Sequence, residues 1–250
     1  MRRTFLFVMT MLAGMVVNAQ ITEGQIVYDQ KTNLHKGLPD MLKPRVPEFK
    51  IDRFTLSFKD SVSLFSAIPA DAAPDPFENN NRAMTAGSGN ENLQLYKNHA
   101  RELCVEQREL DGKPYLIRDV FSTLRWKLTD ETKTIKGYLC RKAIATDTLP
   151  ATSGWTFRSS GRDSVKKNVA VPVEAWFSEL IKVPAGPMNY DRLPGVVLEV
   201  NVDSGTIVYQ AQEIRKKQVG EIKEPVKGKV VTKEGFSRIR KELGGKRMTM

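Results

Sequence analysis

Apolar and polar residues alternate with a period of two along most of this chain, and turn residues interrupt the alternation at short intervals. Residues 24–31 place Ile26 and Tyr28 on one face of a first strand. Phe54, Leu56 and Phe58 alternate with Thr55 and Ser57, Lys59-Asp60-Ser61 turns, and Val62-Ser63-Leu64 alternates again, which predicts a hairpin. Strands follow over 93–97 and 103–110, and Asp111-Gly112-Lys113 connects the second of these to a return strand over 115–120. Residues 124–128, a turn at Thr129-Asp130-Glu131, and a long strand over 134–146 come next. A short strand is expected over 154–158, a charged loop over 159–168, and a strand over 169–177. The clearest hairpin joins 196–202 to 206–214 through Asp203-Ser204-Gly205, with Leu198, Val200 and Val202 on one face and Val197, Glu199 and Asn201 on the other. Short alternating strands joined by turns predict a mainly β fold, a curved antiparallel sheet shaped as a half-barrel or bowl.

Three stretches depart from the alternation. Residues 67–92 are poor in apolar side chains and crowded with Pro, Asn, Gly and Asp, as expected of a disordered insertion. Near the C-terminus, Thr232 can cap a helix that carries Phe236, Ile239 and Leu243 at helical spacing, with Gly244-Gly245 as its expected end. Between the strand ending at Trp176-Phe177 and the one opening at Val196, a loop is punctuated by Pro184, Gly186, Pro187, Pro194 and Gly195. Pro194-Gly195 reads as a type II turn that needs φ > 0 at Gly195. Trp176 and Phe177 point to opposite faces, so one ring is expected in the core and the other toward the concave face or loop.

Around this loop the chain resembles the GLPGLI family of secreted and envelope proteins from Bacteroidetes, a Porphyromonas-type paralogous group. The family motif stands here as Arg192-Leu193-Pro194-Gly195-Val196-Val197, with Arg192 in place of the leading Gly and Val at both final positions. Trp126-Lys127-Leu128, the stretch from Ile135 to Ala143, Ala175-Trp176-Phe177-Ser178 and Gly186-Pro187 occur in the order such proteins show. The resemblance implies an exported, strand-rich protein of largely unassigned activity, and it brings no catalytic residues.

Residues 1–19 have the layout of a secretory signal: Arg2 and Arg3, an apolar stretch from Phe5 to Val17 too short to span a bilayer, and Val17-Asn18-Ala19 before Gln20. No further stretch is expected to be transmembrane, so the mature chain is expected in the periplasm or outside the cell. Its organisation reads as a β domain over 20–214 followed by a basic tail with a short amphipathic helix over 215–250. The net charge of +10 is not spread evenly, because residues 215–250 hold 12 Lys/Arg against 4 Glu while residues 20–214 are balanced. That distribution, in an exported protein, argues against nucleic-acid binding and leaves a solvated tail or attraction to anionic lipid or surface polysaccharide. Cys104 and Cys140 both fall in predicted strands; a disulfide between them is expected in an oxidising compartment, two buried free thiols being the alternative.

Candidate chemistry is sparse. His35 and His99 stand in no nucleophile or metal motif, and His99 reads as a strand-end surface residue. Glu174, Glu179, Asp191 and Glu199 flank the loop, and two of them could serve as acid and base in a carboxylate-dependent hydrolase, although solvated charges are the commoner outcome. Met248 and Met250 read as an unstructured end rather than a soft-metal site. Trp126, Trp155 and Trp176 are packing candidates or a ligand-facing surface. The expected role is therefore non-enzymatic: binding an apolar ligand or an envelope protein partner through Trp176, Phe177, Leu193, Pro194 and Gly195, with no cofactor. A structural or interaction module of a surface receptor or secretion system is the alternative. Intact-mass measurement of exported protein should give a chain beginning at Gln20, and a dominant species retaining residues 1–19 would contradict the signal assignment.

Overall fold

The structure, a computed structural model, describes residues 21–69, 92–119, 121, 124–150 and 168–246. The expected signal segment, most of the expected 67–92 insertion, the expected strand over 154–158 with Trp155, and Met248 and Met250 lie outside the described residues. The strands, in chain order, are β1 (Glu23–Asn33), β2 (Phe49–Lys59), β3 (Val62–Ala67), β4 (Gln94–Asn98), β5 (Leu103–Leu110), β6 (Lys113–Asp119), β7 (Lys127–Ile135), β8 (Tyr138–Pro150), β9 (Asn168–Ser178), β10 (Val196–Val202), β11 (Ile207–Arg215) and β12 (Lys229–Val231). A 3-10 helix (Asp40–Arg45) precedes β2, and helix α1 (Lys233–Lys246) follows β12.

The described strands form one sheet in the order β12-β6-β5-β4-β3-β2-β1-β11-β10-β9-β8-β7. Two antiparallel meanders, β1 to β6 and β7 to β11, meet where β1 pairs with β11. Every pairing is antiparallel except β12 on β6. The sheet is strongly curled. Phe65 on β3 and Tyr209 on β11 have ring centroids 6.4 Å apart although β2 and β1 lie between them, whereas three steps of a flat sheet span about 14 Å. Phe65 also stacks on Phe54 at 4.8 Å and meets Tyr28 edge-on at 6.2 Å. Those rings belong to a core lined by alternate residues of the curled face, including Ile26, Leu56 and Phe58, with Val171, Val173, Ala175 and Phe177 on β9 and Val200 and Val202 on β10. The expected curved, mainly antiparallel sheet with a C-terminal helix is what the chain adopts.

One turn falls elsewhere than the pattern predicts. Thr129-Asp130-Glu131 lies inside β7, where pairing jumps from Leu128 opposite Ala143 to Thr132 opposite Arg141. The turn is at Lys136-Gly137, both with φ > 0, as in Asp111-Gly112 between β5 and β6. Two-residue connections of this hand match the twist of the strands, so the polar triplet is taken up as a bulge and the Gly-containing pair reverses the chain.

The basic C-terminal stretch is laid on the sheet rather than hanging from it. After β11 the chain crosses the face opposite the core, where Ile222 packs with Tyr96, Val105 and Leu116, and Pro225 is buried. Lys59 Nζ donates to the Val219 carbonyl, and Arg118 pairs with Glu224 at 2.9 Å. The chain then adds β12 to the β6 edge and turns into α1. Thr232 caps that helix as expected, its Oγ1 accepting from the Gly235 N–H at 3.1 Å. Phe236 meets Tyr115 edge-on at 5.6 Å beside Ile117, so α1 covers the side of β6 that Asp119 shares with its partner Cys104. The helix continues through Gly244-Gly245 to Lys246, past its expected end.

The expected disulfide is absent: Cys104 and Cys140 are both free and buried. They sit on β5 and β8, with β4, β3, β2, β1, β11, β10 and β9 between those strands in the sheet. Burial pushes each thiol from its ordinary 9.0 to about 11. Between those values the unfolded chain has released protons that the folded chain still holds, so this contribution to stability is complete below pH 9 and is lost as pH rises through 11. Native protein should therefore resist alkylation at pH 8, unfolded and non-reduced protein should titrate as two thiols, and the melting temperature should fall with pH above about 9. A single mass loss of two hydrogens with no titratable thiol would restore the disulfide.

Candidate functional site

Residues 179–195, which join β9 to β10, fold inward and fill the curl of the sheet. Ile181, Val183, Ala185, Tyr190, Asp191 and Leu193 are all buried. Buried loops are uncommon because their backbone donors and acceptors lose water. Here the partners are found locally. Ile181 forms a parallel bridge with Ile21, and the Lys182 N–H donates to the Ile21 carbonyl at 3.2 Å. The Val196 and Val197 amides donate to the carbonyls of Ile181 and Ala185, and the Arg192 amide donates to Pro184 at 3.0 Å. Tight closures two residues apart serve Val183, Ala185 and Gly195. Pro184, Pro187 and Pro194 have no N–H to satisfy, which lowers the demand of the segment.

Side chains of the sheet hold the loop from outside. Lys97 on β4, 4% exposed, donates from Nζ to Asp191 Oδ2 at 2.7 Å and to the Met188 carbonyl at 2.5 Å. Trp126 Nε1 donates to the Asp191 carbonyl at 3.0 Å. The Tyr190 hydroxyl donates to Asp147 Oδ2 on β8 at 3.2 Å, and the Tyr28 hydroxyl donates to the Val197 carbonyl. Burial drives both phenols far above their ordinary value, with the Asp147 carboxylate adding to the effect at Tyr190, so both remain neutral donors.

The motif at the end of the loop works differently from the expected type II turn. Gly195 is not at φ > 0; within the motif the left-handed residue is Arg192, at φ 62°, where the motif it resembles has Gly. Gly195 is required by close approach instead, because a Cβ there would lie 2.1 Å from the Ser178 carbonyl oxygen and 3.0 Å from Glu179 Cα. The Gly195 amide closes back on the Leu193 carbonyl at 2.7 Å, a three-residue turn centred on Pro194. Arg192 and Pro194 are the exposed residues of the motif. The Arg192 guanidinium lies 4.5 Å from the Phe121 ring centroid and pairs with Glu102 at 3.2 Å. His99, expected at the surface, is partly buried against Phe121 at 5.1 Å, and burial, chiefly, pulls its pKa below the ordinary value.

Of the residues expected to bind a ligand or partner, the structure brings Phe177, Leu193 and Gly195 together in the core and leaves Pro194 at the surface. Trp176 turns away from Phe177, as alternation requires, but not toward the loop. Its ring lies under Lys133 Nζ at 4.3 Å and Lys142 Nζ at 5.8 Å, with Glu199 its cross-strand neighbour. The four candidate carboxylates each take a cation: Asp191 with Lys97, Glu199 with Lys133 at 2.7 Å, Glu174 with Lys142 at 3.4 Å and Glu179 with Arg141 at 4.0 Å. Among the described residues no cluster of His, Cys, Asp and Glu is placed to hold a metal ion. A cavity of about 370 Å³ opens away from the loop, between Ser66, Gln94, Gln107, Glu109 and Lys227, and its lining is polar. Sequence reasoning missed Lys97, although the alternation Leu95, Lys97 sets a charge on an apolar face and marks it.

A family model described as a protein of unknown function (Porph_ging) matches residues 126–199, the stretch from Trp126 through the loop into β10. No curated protein matches the chain. Two solved structures of PNGF-II are similar. The one in the C2 space group has 12% identity and a TM-score of 0.54, covering 87% of this chain and 32% of that chain. The one in the P21 space group has 15% identity and a TM-score of 0.48, covering 81% of this chain and 29% of that chain. The chain thus spans about a third of the length of PNGF-II, and the likeness is one of fold.

Melts of variants separate these roles. Lys97→Met should cost about 3–5 kcal/mol by leaving Asp191 buried and unpaired, whereas Lys97→Met with Asp191→Leu should recover much of it. Gly195→Ala should cost at least about 1–3 kcal/mol by overlap with the Ser178 carbonyl. Arg192→Gly should change stability by less than about 1 kcal/mol, because relief of the left-handed backbone offsets the lost contact with Phe121. Urea unfolding measures all four, and a Gly195→Ala protein as stable as the parent would refute the close approach.

Proposed function

We propose that this is an exported, non-enzymatic accessory protein that engages a protein partner through the exposed rim of its buried loop. The observation that carries the reading is that the hollow of the curled sheet, where an apolar ligand would sit, is occupied by the chain's own residues 181–193. A loop held from beneath by Lys97, Trp126 and Asp147 presents Arg192 and Pro194 on a rigid base, and binding residues are characteristically loop residues on rigid scaffolds. Arg192 is restrained from three sides, by its backbone, by Phe121 and by Glu102. A restrained side chain loses less entropy on binding than a free one. The signal-like residues 1–19 support export. The pairing of all four loop-flanking carboxylates with cations weighs against the hydrolase alternative.

A photo-reactive residue in place of Pro194, expressed in the native envelope, should give a discrete protein adduct that the same residue in place of Met41, 79% exposed on the 3-10 helix, does not give. Arg192→Ala in the same protein should reduce the adduct while leaving the melting temperature within a few degrees. Adducts confined to lipid or small molecules, or equal yields from both positions, would overturn the reading.

A further inference from the structure

We propose that the edge of the sheet formed by β12 and its flanking residues is a docking surface for anionic lipid. The excess positive charge of the chain lies in residues 215–250, and the later part of that segment, with Lys227, Lys229 and the helix α1, is brought to the β6 edge. The cations are fixed there, since Ile222 and Pro225 are packed on the sheet, and β12 pairs with Tyr115, Leu116 and Ile117. Lys227, Lys229, Arg238 and Arg240 have no acidic partner among the described residues.

Two apolar side chains stand among these charges. Val226 is 84% exposed and Val230 59% exposed, on either side of Gly228. Gly228, at φ 134°, presses so closely on β6 that a Cβ would lie 2.8 Å from the Pro114 carbonyl group. That contact pins the middle of the segment and leaves the valines facing away from the core. A soluble polyanion would be served by the cations alone. Exposed valines held beside lysines match an interface in which headgroups meet the charge and the acyl boundary meets the apolar tips. Among the described residues no helix is long and apolar enough to cross a membrane. This surface uses elements other than the loop rim and stands independently of the partner-binding reading.

The test is co-sedimentation of the mature chain with vesicles of mixed phosphatidylglycerol and phosphatidylcholine, against phosphatidylcholine alone. Binding is expected to the anionic vesicles only and to weaken steeply with salt. Each cation at an anionic surface contributes about a fivefold factor, so replacing Lys223, Lys227 and Lys229 with Gln should lower the partition on the order of a hundredfold. Val226→Trp should show a blue-shifted emission on binding those vesicles, and Val226→Ser with Val230→Ser should weaken binding while leaving the melt unchanged. Equal binding to both vesicle types, an unchanged partition for the lysine variant, or binding to dextran sulfate without any to vesicles would overturn the proposal, the last in favour of a soluble polyanion.

Discussion

A connection can lie inside a curled sheet only if every backbone donor it buries finds an acceptor there, and this requirement shapes the segment between β9 and β10. The amides of Lys182, Arg192, Val196 and Val197 reach carbonyls of the loop or of Ile21. Three prolines remove donors that would otherwise need partners. Gly186 and Gly195 let backbones approach to distances no side chain would permit, at Tyr190 and Ser178 respectively. Lys97 then neutralises Asp191 and caps the Met188 carbonyl. With the filling in place, the rings of Phe54, Phe65, Tyr28 and Tyr209 have something to close around.

The same economy governs the margins of the sheet. An open sheet leaves two edges, each a template for pairing with another chain. At one edge β7 carries Lys127, Asp130, Glu131 and Lys133 and a bulge that breaks its register. At the other, β12 is three residues long and runs directly into α1. Both are recognised means of blunting an edge.

Much of this fold was legible because alternation is a local signal. Phe54, Leu56 and Phe58 declare a half-buried strand from their own spacing, and Asp111-Gly112 declares its turn from two residues. The motif around Pro194-Gly195 located the segment that fills the curl, while Lys97 went unread although it alternates with Leu95 on a buried face. What could not be read was whatever depends on a second segment. The need for Gly195 arises from Ser178, which is near it only after β9 and β10 pair, so the sequence suggested a turn where the real cause is contact. The separation of Cys104 from Cys140 follows from sheet order, which spacing does not carry. The orientation of Trp176 was half legible: alternation set it opposite Phe177, but that its side of the sheet bears lysines and glutamates from three other strands depended on the long-range pairing.

The seam between β1 and β11 bears on how such a chain reaches its folded state. Its pairings join residues far apart in the chain, from Thr32 opposite Ile207 to Gln25 opposite Arg215, whereas β2-β3, β4-β5, β5-β6, β7-β8 and β10-β11 are joined by short turns. Closure entropy grows with the logarithm of the intervening length, and non-local pairings slow folding. The two meanders can form from local contacts, but the join needs nearly the whole chain. Until then β1 and β11 present unpaired inner strands that carry Ile26, Val27, Tyr28, Ile207, Val208 and Tyr209. A chain delivered from its N-terminus would hold β1 open until β11 arrived, so the interval between the two is the period of greatest exposure to misassembly.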